Sequence, residues 1–324
     1  MEAIVANVIY LNNCWFTNVG EAFIDIGAKV MLNKIFDKFN FATVTSMSQW
    51  YIDNNKYVKP IGANLIKRVA PNIFKKKYAD NAFDYIQLFE PDYFVVAGMF
   101  ATSEFVNAKK TSSELLKLVH RTNCKLIFLG LGGVKYDQKE IDDFKYYLDE
   151  IKPALVVTRD YSTYKNYKDI VQCIDGIDCA YWLSDVYNPK GINHGKYEIR
   201  TFNYTEEPSD IPMTDELKIV RPWHMQYAFS LENIKTNIMV SDSPYDYLTL
   251  YANAEYVYTD LVHATIPSLI YGTPVKFYKY DERSRMFDGL HGLEKDENGF
   301  LSIKVESLSD RKNNIIEKIK EKLF

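Results

Sequence analysis

Residues 255–278 constrain the fold of this chain more than any other stretch. The run at 256–258 is β-rich, and residues 264–271 read as a short helix that ends at Gly272. A second β-rich run follows at 275–278. A strand, a short helix and a strand joined by tight turns predict a βαβ unit, in which the two strands run parallel.

This unit places His263 at the carboxyl end of its first strand, close to the N-terminus of its helix. Open α/β sheets bind ligands at such strand ends, and the N–H groups of a helix N-terminus attract anions. Pro267 agrees with this placement, because proline is tolerated only near the start of a helix. His263 is therefore a candidate catalytic residue, and a histidine buried under the helix is the alternative.

The rest of the chain also alternates between predicted strands and helices. Further strands are predicted at 3–11, 93–97, 125–129, 154–158, 171–174, 196–202, 217–221 and 238–240, and further helices at 21–39, 65–69, 112–119, 138–150, 245–252 and 309–324. Residues 46–82 are otherwise irregular, and the turn residues at 188–191 mark a boundary. We therefore expect two Rossmann-like, doubly wound α/β domains facing a cleft, at 1–187 and 188–308, with a C-terminal helix at 309–324 that packs back on the first domain.

Length and composition limit the class of protein. A chain of 324 residues is too long for one compact core and suits two domains. The net charge of −4 and the pI of about 5.8 argue against non-specific binding to nucleic acid. The 4 cysteines show neither C-x-x-C nor zinc-site spacing, which indicates a reducing compartment. With no signal peptide and no apolar run of about 18 residues, the sequence predicts a cytoplasmic protein.

Several motifs of the chain resemble those of bacterial and archaeal polysaccharide pyruvyltransferases. Residues 259–264 read Thr-Asp-Leu-Val-His-Ala where the family has Thr-Asp-Arg-Leu-His-Gly, and Gly-x-Pro follows at 272–274. Residues 159–162, Arg-Asp-Tyr-Ser, are close to the family's Arg-Asp-x-x-Ser. Residues 18–21, Asn-Val-Gly-Glu, are similar to its Asn-x-Gly-Asp, and 178–185 resembles its Pro-Asp-Pro segment without the prolines.

This resemblance implies a GT-B-like architecture and a transferase. In the implied reaction phosphoenolpyruvate reacts with two hydroxyls of one sugar, so that a pyruvate ketal forms and phosphate is released. The resemblance implies that His263 performs a proton transfer and that Arg159 binds the anionic groups of the donor. Asp260, three residues before the histidine, either orients its imidazole or caps the helix.

Four further positions are predicted to contact the substrate. Asn18 and Gly20 lie in the loop after the first strand, and Gly132 and Gly133 lie in the turn after the strand at 125–129. Glycines admit a ligand close to the backbone, and the N–H groups of such a turn can meet a phosphate or carboxylate. The alternative is that both segments are turns that need small residues.

One departure from the family pattern concerns Leu261, which stands where the family has an arginine. An apolar side chain cannot bind an anion, so a different cation must contribute the missing charge. Arg283 and Arg285 are predicted to do so because they follow the next strand, and Arg221 is a further candidate. His224 either faces the cleft or is hydrogen-bonded at the surface.

The expected substrates are phosphoenolpyruvate as donor and a sugar or lipid-linked oligosaccharide as acceptor, with no metal, no other cofactor and no nucleic acid. Peripheral association with a membrane is left open. Two other functions fit the same pattern. One is a GT-B-type glycosyltransferase that uses a nucleotide sugar, and the other is a binding or regulatory protein that has the fold without the chemistry.

Overall fold

The computed structural model of the chain describes residues 5–13, 15, 18–45, 88–107, 116, 120, 123–212, 215–225, 238–279 and 281–324. The predicted irregular stretch at 46–82, with its helix at 65–69, and all but Leu116 of the predicted helix at 112–119 lie outside these residues. Within the described part, no helix combines the length and the apolar composition needed to cross a membrane.

Six parallel strands form the N-terminal sheet, in the order β2-β1-β3-β4-β5-β6. They are β1 (Ala6–Asn12), β2 (Phe39–Thr45), β3 (Tyr93–Ala97), β4 (Lys125–Leu131), β5 (Leu155–Thr158) and β6 (Cys173–Ile174). Strands β3 and β5 are buried along their whole length. Such continuous apolar runs are typical of parallel strands that are covered on both faces.

The first helix, α1 (Val19–Ile35), ends before the predicted helix at 21–39 does. The backbone is extended at Phe36, and the chain continues into β2, a strand that the sequence prediction missed. Phe36 and Phe39 pack ring against ring with their centroids 5.6 Å apart. Because apolar residues continue across the turn, their spacing alone does not show where the helix ends.

The other helices among the described residues of this half begin at polar caps. They are α2 (Ser103–Asn107), α3 (Gln138–Ile151) and α4 (Tyr161–Tyr167), and a 3₁₀ helix follows at Cys179–Asp185. Asp137 accepts the amide of Glu140 at 2.8 Å, and Asp160 accepts the amide of Thr163 at 2.7 Å. The carboxylate of Asp160 therefore caps α4, as its place before a helix suggests.

Seven strands form the C-terminal sheet, in the order β12-β13-β11-β10-β7-β8-β9. They are β7 (Tyr197–Thr201), β8 (Lys218–Pro222), β9 (Ile238–Met239), β10 (Tyr256–Thr259), β11 (Val275–Phe277), β12 (Leu293–Lys295) and β13 (Leu301–Ile303). The strands from β11 to β9 pair in parallel, whereas β13 and β12 join antiparallel. The sequence prediction missed the antiparallel pair.

The described part of this half contains the helices α5 (Pro244–Asn253), α6 (Val262–Tyr271) and α7 (Val305–Leu323), with a 3₁₀ helix at Glu282–Phe287. The predicted βαβ unit is present as β10, α6 and β11, and Val257 of β10 lies beside Val275 of β11. Gly272 ends α6 in the left-handed conformation, with φ of 72°. Glycine adopts this conformation without steric cost, which explains how the sequence marks the end of the helix.

One hydrophobic cluster runs through both halves of the chain. Phe23 of α1 and Trp182 of the first 3₁₀ helix are fully buried in it. Helix α7 follows the C-terminal sheet but contacts the N-terminal one, where Arg311 Nη2 donates to Asp175 Oδ2 at 2.8 Å. The two sheets are thus packed together, and residues at the edges of both can form one site.

The fold is α/β with two largely parallel sheets, and the predicted fold class is confirmed. The strand order reverses beside β1 in the N-terminal sheet and beside β7 in the C-terminal sheet. Ligands of open α/β sheets bind outside the carboxyl ends of the strands at such points. A ligand is therefore expected to bind in the space between the two sheets.

Candidate functional site

A cavity of about 350 Å³ lies between the two halves, at the carboxyl ends of their strands. From the N-terminal half it is lined by Asn13 after β1, Phe100 after β3 and Arg159 after β5. From the C-terminal half it is lined by Tyr204 after β7 and His263 after β10. The structure therefore brings Arg159 and His263 to the same cavity, one from each half.

Arg159 is a buried cation with unused hydrogen-bond donors. Its side chain is 2% exposed, and its guanidinium carbon lies 4.8 Å from the centre of the Phe100 ring. Nη1 lies 3.8 Å from Asp178 Oδ2, while Nε and Nη2 have no hydrogen-bond partner. Buried polar groups in proteins are nearly always paired, so two unpaired donors beside a cavity indicate a site for an anionic ligand.

Gly132 makes room for this arginine. A Cβ added at position 132 would lie 2.0 Å from Nε of Arg159. The amide of Gly132 donates to the carbonyl of Met99 at 3.1 Å, and the amide of Gly133 donates to Thr163 Oγ1 at 3.1 Å. The expectation that these two amides face an anion is not met, because both donate within the protein.

His263 is the second residue of α6 and its side chain is 13% exposed. Nε2 lies 3.6 Å from Asp178 Oδ2, just beyond hydrogen-bond distance, and has no hydrogen-bond partner. The other ring nitrogen, Nδ1, lies against the first turn of α1. A Cβ added at Gly20 would lie 2.5 Å from this nitrogen, so Gly20 allows the imidazole to approach α1. Asn18 lines the cavity and also caps α1, accepting the amide of Gly20 at 2.9 Å.

Asp178 links the two principal residues, and it was not among the predicted site residues. Its carboxylate is 1% exposed, lies beside both Arg159 and His263, and accepts the amide of Ala180 through Oδ1 at 2.9 Å. Burial alone would raise the pKa of Asp178, but His263 and then Arg159 outweigh burial and hold the pKa below its ordinary value. The sequence signal for this residue was its place at the start of the segment 178–185.

Asp260 does not orient the imidazole and does not cap α6. Its Oδ1 accepts the amide of Asn203 at 3.1 Å, and its Oδ2 accepts the amides of Tyr204 and Thr205 at 3.0 and 2.8 Å and Thr205 Oγ1 at 3.1 Å. Asp260 lines the cavity, so its catalytic role stays a prediction, while neither of the two predicted contacts is present. Its carboxylate instead holds the loop after β7, which brings Tyr204 to the cavity.

Of the two arginines expected to compensate for Leu261, only Arg283 lines the cavity. Its Nε donates to Asp281 Oδ2 at 2.5 Å, and its guanidinium lies 4.9 Å from the centre of the Tyr204 ring. Arg285 instead donates to Glu282 Oε2 at 2.6 Å and does not reach the cavity.

Leu261 itself lines the cavity and is part of the hydrophobic cluster. Arg221, the further candidate, donates to Glu207 Oε2 at 2.9 Å and lies away from the cavity. Arg283 is thus a second arginine in the cavity. At the position of the family's arginine, the cavity wall is formed by the apolar side chain of Leu261.

His224 is buried and lines the cavity, so of its two predicted placements the one facing the cleft is observed. Its Nε2 lies 2.6 Å from the hydroxyl of Tyr251. Burial, and to a smaller extent the charge of His263, lowers the pKa of His224 to about 3. The imidazole of His224 is therefore neutral at physiological pH. Its carbonyl accepts the amide of Val19 at 3.0 Å, which ties the start of α1 to the C-terminal half.

The N-terminus of α6 adds further donors to the cavity. The amides of Ala264 and Thr265 donate to the carbonyl of Leu261 at 3.2 and 3.1 Å. The amides of Val262 and His263 precede them and have no partner within the helix, as in the first turn of any α-helix. Both residues line the cavity, where such amides and the helix dipole favour a negative charge.

The cavity thus combines a buried guanidinium, a second arginine, a helix N-terminus and an imidazole that can exchange protons. This set can bind an anion and transfer a proton to or from it. Among the described residues, no three His, Cys, Asp or Glu side chains are grouped so that they could hold a metal ion.

A family model for polysaccharide pyruvyl transferases matches residues 18–282. This match covers most of the chain and includes Arg159, Asp178 and His263, and the chain belongs to the polysaccharide pyruvyl transferase family. It is therefore a transferase by family. Among curated proteins, none matches the sequence at a significant level.

Several solved structures are similar to this chain, with TM-scores above 0.5. A UDP-N-acetylglucosamine 2-epimerase from Rickettsia bellii is 13% identical, with a TM-score of 0.55 and coverage of 97% of this chain and 88% of its own. The MnaA protein of S. aureus, solved with UDP, is 10% identical, with a TM-score of 0.54 and coverage of 98% and 90%. The UDP-GlcNAc 2-epimerase of Methanocaldococcus jannaschii is 12% identical, with a TM-score of 0.51 and coverage of 94% and 91%. At these identities the likeness shows the fold alone, which is GT-B-like.

Proposed function

We propose that the protein transfers a pyruvyl group from phosphoenolpyruvate to a sugar of a surface polysaccharide or its precursor, where it forms a ketal. Family membership supports the reaction class. The observation that carries the proposal is the pair of buried, unpartnered donors on Arg159, in one cavity with His263. A donor with a carboxylate and a phosphate would satisfy such donors, and its carbon skeleton needs a proton donor nearby.

In the proposed complex, Arg159 Nε and Nη2 donate to one anionic group of phosphoenolpyruvate in a bidentate pair. The second anionic group meets the amides of Val262 and His263 at the N-terminus of α6, with Arg283 close by. Asp178 lies behind Arg159 and His263 and holds their charges in place. Arg283 thus contributes the charge that Leu261 cannot.

The proposed chemistry needs one proton to be delivered and two to be removed. His263 gives a proton to the methylene carbon of phosphoenolpyruvate, which becomes the methyl group. A sugar hydroxyl attacks the neighbouring carbon and loses its proton, and the bond to the bridging phosphate oxygen then breaks. The second hydroxyl closes the ketal and loses its proton, and inorganic phosphate leaves.

The reaction is tested by the release of inorganic phosphate from phosphoenolpyruvate in the presence of a panel of 4-nitrophenyl hexosides. The parent protein should release phosphate with at least one glycoside, and phosphoenolpyruvate should raise its melting temperature. His263→Ala should lower the rate by about 10²- to 10⁴-fold while the fold is kept, because a general acid is lost. Arg159→Ala should instead weaken donor binding.

The two alternative functions predict different results in the same experiments. Thermal stabilisation by a UDP-, GDP- or CMP-sugar, with none by phosphoenolpyruvate, would replace this proposal with a glycosyltransferase. If ligands of neither class stabilise the protein, the remaining interpretation is a binding or regulatory protein that has the fold without the chemistry. Equal phosphate release by the parent and by His263→Ala would reject the proton-transfer role of His263.

We also propose a cytoplasmic location, with a sugar or lipid-linked oligosaccharide as the partner substrate. The cysteines Cys173 and Cys179 are free thiols, as is usual in a reducing compartment. No cofactor besides the donor takes part in the proposed reaction.

A further inference from the structure

Asp25 is a fully buried carboxylate that no step of the proposed reaction uses. It lies in α1 and is 0% exposed. Its Oδ1 accepts the hydroxyl of Tyr10 at 2.6 Å, and its Oδ2 accepts Nε1 of Trp15 at 2.6 Å and the amide of Asn13 at 2.9 Å. A buried charge is costly unless it is hydrogen-bonded, and each of these donors lies in β1 or in the loop that follows it. Asp25 therefore holds this loop against α1.

Asn13 of this loop lines the cavity, and two partners fix the orientation of its carboxamide. Nδ2 donates to Asp25 Oδ1 at 2.8 Å and to the carbonyl of Ala97, the last residue of β3, at 3.2 Å. Because a carbonyl can only accept, the carboxamide atom that faces Ala97 must be the nitrogen, and both hydrogens of Nδ2 are used within the protein. No described residue donates to Oδ1 of Asn13, so this oxygen is the side-chain atom left for a ligand.

A carbonyl oxygen in the cavity wall does not suit phosphoenolpyruvate. The carboxylate and phosphate of this substrate carry oxygens that accept hydrogen bonds, and they match the N–H groups of Arg159 and of the N-terminus of α6. A sugar hydroxyl can donate to a carbonyl oxygen, so Oδ1 of Asn13 is matched to the sugar. An amide oxygen is too weak a base to take the proton of an attacking hydroxyl. The matched hydroxyl is therefore one that keeps its proton.

We propose that Oδ1 of Asn13 accepts a hydrogen bond from a sugar hydroxyl that does not enter the ketal, so that Asn13 helps to select the sugar. Asp25 is the positioning residue that holds this oxygen in place through its hydrogen bonds to Asn13. The assignment rests on the pyruvyl transfer proposed above. It gives the loop after β1 a part in recognising the sugar, while Arg159 and the N-terminus of α6 bind phosphoenolpyruvate.

The first test uses the 4-nitrophenyl hexoside that gives the fastest phosphate release with the parent protein, and its monodeoxy analogues that keep both reacting hydroxyls. With the parent, one analogue should show a kcat/KM about two- to tenfold below that of the full glycoside, because one hydrogen bond is missing. Asn13→Ala should lower kcat/KM for the full glycoside by a similar factor and should treat the full glycoside and this analogue alike. The Kd for phosphoenolpyruvate, measured by calorimetry, should stay within about twofold of the parent value.

The second test concerns Asp25. Asp25→Asn leaves one acceptor oxygen where the carboxylate accepts four hydrogen bonds, so Asn13 loses its fixed orientation. The kcat/KM for the full glycoside should fall by about two- to tenfold, and combining Asp25→Asn with Asn13→Ala should add little to either loss. Tyr10→Phe is the matched control, because it removes a different hydrogen bond of the same carboxylate. It should lower the melting temperature and keep the discrimination between the full glycoside and the analogue.

Purely structural roles for these residues predict other results. The assignment is rejected if the parent distinguishes none of the analogues from the full glycoside, or if Asn13→Ala discriminates as the parent does. If Tyr10→Phe loses the discrimination as fully as Asp25→Asn, the positioning role of Asp25 is rejected. Should Asp25→Asn not fold, the deoxy comparison with Asn13→Ala decides by itself. If the parent protein neither binds phosphoenolpyruvate nor releases phosphate from it, the proposed reaction itself fails, which is a separate result and removes this assignment with it.

Discussion

Gly132→Ala is expected to disable the anion site through a single added methyl group. The Cβ would lie 2.0 Å from Nε, 2.7 Å from Cζ and 2.9 Å from Cδ of Arg159, whereas ordinary contacts begin at 3.4 Å. Gly132 does not have a positive φ, so alanine fits its backbone without strain. The clash must therefore be relieved by movement of the arginine.

The size of the effect follows from that movement. To restore ordinary contact the guanidinium must retreat by about 1.4 Å, and N–H···O hydrogen bonds span only about 2.7–3.2 Å, so at least one bond to the bound anion is lost. A hydrogen bond to a charged group contributes about 1.5–3 kcal/mol. The Kd for phosphoenolpyruvate should rise by about ten- to a hundredfold, at about 1.4 kcal/mol per decade.

The assay is calorimetric titration of phosphoenolpyruvate into the parent, Gly132→Ala, Arg159→Ala and the double variant. Where Arg159 is already truncated, the methyl group has no arginine to displace, so Gly132→Ala should add little to the loss caused by Arg159→Ala. Gly133→Ala is the matched control, because its Cβ would meet Tyr136 at 2.7 Å and not Arg159. Parent-like affinity in Gly132→Ala, or additive losses in the double variant, would refute the reasoning.

Three further outcomes are expected. Gly20→Ala should lower turnover by about 100-fold through the displaced imidazole. Its melting temperature should also fall, because the added Cβ would lie 2.5 Å from Nδ1 and 2.8 Å from Cβ of His263, and overpacking typically costs about 1–3 kcal/mol. Measurements of kcat and a melting curve test this, and normal kcat contradicts it. Asp178→Asn should lower kcat while phosphoenolpyruvate binding stays equal or tightens, because it removes a negative charge from beside the anion site; a loss confined to affinity would contradict it. The pKa of His224 is about 3 in the folded protein and 6.5 ordinarily, so the unfolded chain binds the extra proton between these values and stability falls as the pH falls through this window. Lowering the pH from 7 to 5 should therefore lower the free energy of unfolding by about 2 kcal/mol through this residue. In urea unfolding, the stability of the parent should depend more steeply on pH than that of His224→Gln. Equal slopes for the two proteins would contradict this prediction.

The architecture and the two principal residues of the candidate site could be predicted from the amino-acid sequence. Continuous apolar strands alternating with helices can be satisfied only by parallel sheets covered on both faces, and here they form two such sheets. Parallel strands place all their carboxyl ends at one edge, so residues that directly follow β5 and β10 must approach the same cleft once the two sheets face each other. Arg159 and His263 were predictable for this reason.

Edge elements and the exact end of α1 were not predictable from the sequence. Strand β2 and the hairpin of β12 and β13 are paired through hydrogen bonds to neighbouring strands, and their short apolar patterns do not differ from those of a helix end or a loop. The pairing partner, and not the local pattern, makes these segments strands.

Which carboxylate and which glycines lie at the candidate site depends on the tertiary fold. Asp260 is three residues from His263 in sequence, yet its oxygens accept donors from the loop after β7, whereas Asp178, 85 positions from His263, lies 3.6 Å from the imidazole. Gly20 and Gly132 were predicted as ligand contacts, but their place in the fold is to let side chains approach from distant elements. Strand and helix periodicity is local and can be read along the chain, while the partner of a buried charge depends on which segments the packed core brings together.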